Sequence, residues 1–168
     1  MFRCAILFFV LLSIPLRANL GETVEQCVKR YGKPIGFSEA NPKVPFGTLV
    51  FMAGKYTLLV FLLETKEVGA RVSKTDKSAF TDAEMKTIMD ADADAQSPWT
   101  STPSTDPSCL EWTRGDKATV LYDKEKHMLI FTSVAMAEAA KAMPPAAGPV
   151  AKPATNAAPA SPTPVAPH

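Results

Sequence analysis

The sequence predicts an α+β fold built from two helix-plus-three-strand units, with the strands in antiparallel meanders and the helices on one sheet face. Three observations carry that expectation. Two capping boxes, Thr23 with Gln26 and Thr81 with Glu84, each open an apolar stripe at helical spacing. Three runs of β-branched, aromatic and aliphatic residues follow each stripe. Gly-containing or polar connections join most of these runs and are too short for crossover helices, so neighbouring strands run antiparallel.

Residues 1–18 come first. Met1-Phe2-Arg3-Cys4 precedes the apolar stretch 5–14, and Pro15-Leu16-Arg17-Ala18 closes it, which is the order of a secretory signal peptide. The stretch is shorter than the roughly 20 residues of a transmembrane helix. The expected location is therefore outside the cytoplasm, periplasmic or secreted, with no integral membrane span after signal cleavage. A lipid anchor is not expected, because Cys27 follows Val24-Glu25-Gln26 and Cys4 lies ahead of the apolar run.

A single α+β domain is expected over 19–134. Val24, Cys27, Val28 and Tyr31 share one helix face after the Thr23 cap, while Gly32 and Pro34 stop the helix. Cys27 thus faces the core. Strands are expected over 46–52, 55–63 and 67–73, the last placing Val68, Ala70 and Val72 on one face. The second helix buries Met85, Ile88 and Met89, with Phe80 and Met85 at the hydrophobic-staple positions. Strands over 109–114, 117–122 and 128–133 complete the second unit. Residues 22–73 and 81–133 therefore read as tandem units. A short helix is expected over 135–142, then a disordered Pro/Ala-rich tail over 143–168 that has no large apolar side chain to bury.

Loss of Arg3 and Arg17 with the leader leaves 16 basic against 17 acidic residues. That near-neutral balance argues against nucleic acid as a partner. Cys27 and Cys109 remain as one candidate pair: an oxidising compartment would permit a disulfide, and two small buried thiols are the alternative.

Gly21-x-Thr23-x-x-Gln26-Cys27-Val28, then Tyr31-Gly32-Lys33-Pro34, then a loop and a three-strand meander, resembles the α/β unit of small outer-membrane-assembly lipoproteins. The tandem form resembles the β-lactamase-inhibitor-protein architecture. The resemblance implies a protein-binding scaffold without an active site. The chain departs from the lipoproteins in lacking their lipid-attachment cysteine, and no binding residue carries over.

Candidates for chemistry are few. Asp90, Asp92 and Asp94 have the alternate spacing that opens a calcium loop, but Ala95 stands at the turn-glycine position and Pro98 interrupts the loop. Three carboxylates at a helix C-terminus oppose its dipole, so this end should fray unless a cation or a basic partner compensates. His127 sits in a charged turn without ligand-spaced partners, and the pair Cys27 with His127 is disfavoured as a nucleophilic site because Cys27 faces the core. Arg114-Gly115-Asp116 reads as hairpin chemistry rather than as an integrin-recognition triplet. Trp99, in a Ser/Thr/Pro loop, either plugs the core or contacts a partner. No catalytic, cofactor or metal site is expected. The functional expectation is an exported, non-enzymatic protein with an interaction or envelope-scaffolding role toward a protein partner. The alternative is an unrecognised hydrolase or metal-dependent enzyme in the periplasm.

Overall fold

The computed structural model describes residues 19–92 and 97–143. The signal peptide expected over 1–18, Asp94 and the expected tail from residue 144 onward lie outside the described residues. Three helices, α1 (Val24–Tyr31), α2 (Asp82–Asp92) and α3 (Val134–Lys141), accompany one antiparallel sheet. Its strands are β1 (Gly36–Ser38), β2 (Gly47–Ala53), β3 (Tyr56–Leu63), β4 (Lys66–Lys74), β5 (Thr100–Thr102), β6 (Cys109–Thr113), β7 (Thr119–Asp123) and β8 (Met128–Thr132). The order β1-β2-β3-β4-β8-β7-β6-β5 joins two four-strand meanders through their last strands. Each unit gains a three-residue outer strand, β1 or β5, too short to register as an alternating pattern in the sequence.

Both capping boxes form. Gln26 N donates to Thr23 Oγ1 and Thr23 N to Gln26 Oε1. Glu84 N likewise donates to Thr81 Oγ1 and Thr81 N to Glu84 Oε2. Glu84 also pairs with Lys74 at 2.7 Å, which ties the start of α2 to the end of β4. Gly32 caps α1 at φ 84°, a left-handed conformation that a side chain would strain.

One continuous core joins Cys27 of α1 and Met85, Ile88 and Met89 of α2 to Leu49, Phe51, Leu58, Val60, Ala70, Val72, Val120, Leu129 and Phe131 of the sheet. Both unit helices therefore pack on the same sheet face. α3 starts from the Ser133 cap and crosses β4 at Gly69, where a Cβ would strike Met136 Sδ and lie 2.8 Å from Phe131 O.

The β3–β4 register shifts between Phe61 and Leu62: Phe61 pairs with Gly69 but Leu62 with Glu67, leaving Val68 as the extra residue of a bulge. Leu62 faces the core, so its partner Glu67 faces the core as well. Strict alternation along β4 would have sent Glu67 to the opposite face.

The expected disulfide is not formed; Cys27 and Cys109 are free thiols. Cys27 lies buried against Glu67 of β4, whereas Cys109 opens β6 beside Ser108 and Asp106. Strands β8 and β7 separate β4 from β6. Three strand spacings are about 14 Å, twice the Cα separation a disulfide tolerates. Among the described residues no helix is long and apolar enough to cross a membrane.

Candidate metal centre

Three local features bring Glu22, Cys27 and Glu67 together. The Thr23 cap fixes the start of α1 and sets Glu22 immediately before it. The backbone at residues 21 and 22 then runs beside β4: Gly21 N donates to Glu67 O and Glu67 N to Glu22 O, each at 2.8 Å. The bulge turns Glu67 inward beneath Cys27. The Cys27 thiol donates to Glu67 Oε2 at 3.4 Å, and the ligand atoms of all three residues lie within 4.8 Å of one another.

The site is buried and short of hydrogen-bond partners. Glu67 is 1% exposed and its Oε1 has none. Arg30, on the second turn of α1, grips Glu22 with Nε at 3.1 Å from Oε2 and a terminal nitrogen on Oε1. Burial pushes the Glu67 carboxyl up to about 8; the Cys27 hydrogen bond opposes this, while the charges of Asp92 and Glu22 add to it. Burial, then the charge of Glu67, pushes the Cys27 thiol up to about 12. Without an ion, Cys27 and Glu67 hold their protons and Arg30 balances Glu22, so a divalent cation would bind by displacing the Cys27 and Glu67 protons.

One sulfur and two carboxylates form a borderline donor set that suits Zn²⁺ or another first-row divalent ion better than Mg²⁺ or Ca²⁺. Three protein ligands leave one position of a tetrahedral ion open, the pattern of catalytic rather than structural zinc sites. Glu22 and Gln26 also line a polar cleft of about 680 Å³ together with Asp92, Arg114 and Asp116. In its wall the Asp92 side chain is fully buried, 2.8 Å from an Arg114 nitrogen, and its other oxygen accepts from Leu20 N. Burial raises the Asp92 carboxyl to about 6 against the pull of Arg114.

The other residues singled out in the sequence lie elsewhere. Asp90 points outward to Lys86, so Asp90 and Asp92 do not converge on one ion. The acidic end of α2 is compensated by a basic partner, Arg114, which donates to both the Asp92 carbonyl and its carboxylate. Arg114 also grips Asp116 across the Arg114-Gly115-Asp116 turn. His127, at φ 50°, meets the Lys77 carbonyl rather than Cys27. Trp99 donates to the Met89 carbonyl, meets Phe131 in a T-shaped contact and lies beneath the Arg114 guanidinium, so it plugs the core beside α2. It also lines a cleft of about 350 Å³ with Met85, Leu110 and Trp112.

Glu22 and Glu67 were not singled out from sequence. Gly69 inside an apolar strand is the local sign that a bulge interrupts alternation nearby. No protein-family model, curated protein or solved structure matches the chain.

Proposed function

We propose that the protein binds a Zn²⁺-like divalent cation through Glu22, Cys27 and Glu67 and that this ion serves a metal-dependent, hydrolytic type of activity at the adjoining polar cleft. The observation that carries the reading is the fully buried Glu67, whose Oε1 lacks a partner while a thiol and a second carboxylate converge on the same point. Native proteins seldom bury a carboxylate oxygen without a partner, and a bound cation is one resolution. The test is dialysis of the full chain against Zn²⁺, followed by metal analysis. One equivalent is expected for the native protein, with loss in Cys27→Ser and in Glu67→Gln; equal metal in all three would defeat the reading. A hydrolase substrate screen of the loaded protein then examines the activity.

A second reading is a scaffold for a protein partner. It is favoured by the outer strand β1, where Phe37 is 75% exposed and Ile35, just before the strand, 64% exposed, beside an edge that has no partner strand among the described residues. The repeated order of one helix and four strands supports the tandem-unit resemblance and agrees with this role. Cross-linking in the native compartment that is abolished by Phe37→Ser would establish it. The order of residues 1–18 supports export, which the N-terminal mass of the isolated protein tests.

A further inference from the structure

We propose that Tyr31 completes this centre as a positioning residue, its hydroxyl donating to a water held on the cation at the position the three protein ligands leave open. The inference rests on the metal reading. Tyr31 follows Cys27 by four residues on α1, so the two side chains share one helix face. Its ring packs against Phe51 with centroids 5.3 Å apart, which fixes the direction of the phenol. The hydroxyl is buried and has no hydrogen-bond partner, and Glu67 Oε1 is in the same condition. Burial, then the charge of Glu67, pushes the Tyr31 hydroxyl up, which keeps it a hydrogen-bond donor.

Of the orphaned buried atoms, Glu67 Oε1 belongs to the cluster and the Tyr31 hydroxyl to the helix face of Cys27, so one guest would serve both. The phenol and the carboxylate do not bond each other, so direct pairing does not satisfy them. A metal-bound water satisfies both: the phenol donates to its oxygen, and the water donates to Glu67 Oε1 while Oε2 faces the ion. Hydrogen bonds of this kind to a group on the metal commonly change affinity or activity 10- to 100-fold.

The test uses the full chain carrying Tyr31→Phe. Expected are unchanged or raised thermal stability without metal, Zn²⁺ affinity lowered by about 10-fold or more in competition with a chelating dye, and an altered Co²⁺ visible spectrum. Zn²⁺ affinity and a Co²⁺ spectrum equal to those of the native protein would overturn the proposal while leaving the metal reading intact. Absence of Zn²⁺ binding to the native chain would overturn both. If the variant does not fold, native protein labelled with 3-fluorotyrosine provides the readout. A ¹⁹F resonance assigned to Tyr31 should shift on adding Zn²⁺, and an unmoved resonance would overturn the proposal.

Discussion

Replacing Glu67 by Gln in metal-free protein should increase stability, and the increase should grow with pH. The folded carboxyl titrates near 8 and the ordinary group near 4.5. Below pH 4.5 both states hold the proton and the group contributes nothing. As pH rises the unfolded chain releases its proton first, so native stability falls until the folded group also ionises near pH 8. At about 1.4 kcal/mol per pH unit, the loss across that window is about 4 to 5 kcal/mol. Gln carries no such proton, and its carbonyl still accepts from Cys27. Urea denaturation with chelator present should therefore give similar stability for both proteins at pH 4.5 and an advantage to Glu67→Gln of about 4 kcal/mol at pH 8. Zn²⁺ at about 100 times its Kd should return about 2.7 kcal/mol to the native protein and nothing to the variant. A difference independent of pH would refute the claim that burial of this carboxyl dominates its energetics.

Arg114→Met should cost about 3 to 5 kcal/mol, because it leaves the buried Asp92 carboxylate without its cation; urea denaturation measures this, and Trp99 emission should shift to the red as its plug loosens. Gly69→Ala should cost about 1 to 3 kcal/mol by forcing Met136 aside, with part recovered in the Gly69→Ala, Met136→Ala double variant; a neutral Gly69→Ala would refute the close approach of α3. In a thiol-labelling assay on native protein Cys109 should react first and Cys27 only on unfolding, and reductant should leave the melting temperature unchanged.

What was legible in the sequence is what local chemistry decides. The pairs Thr23/Gln26 and Thr81/Glu84 are four-residue statements, and the apolar runs of β2, β3, β6, β7 and β8 carry their own strand signal. The inward face of Glu67 is not legible because it depends on a bulge, and a bulge belongs to the pairing of two strands rather than to either one. The Cys27–Glu67 contact spans 40 residues and the Asp92–Arg114 pair 22, so no spacing rule reveals them. The Cys27–Cys109 bridge failed for the same reason: cysteine counting permits a pair, but only the strand order sets the distance between them.

The junction of β4 with β8 sets the timing of assembly during synthesis. The first meander, β1 to β4, can pair as it leaves the ribosome, yet the free side of β4 meets its neighbour only when Met128–Thr132 arrives, near the end of the described chain. Until then Ala70 and Val72 border an unsatisfied row of amide and carbonyl groups, a template for pairing with another nascent chain. The last strand made is thus the one that closes the middle of the sheet. A truncation just before β8 should be more prone to aggregation than one that removes α3 alone.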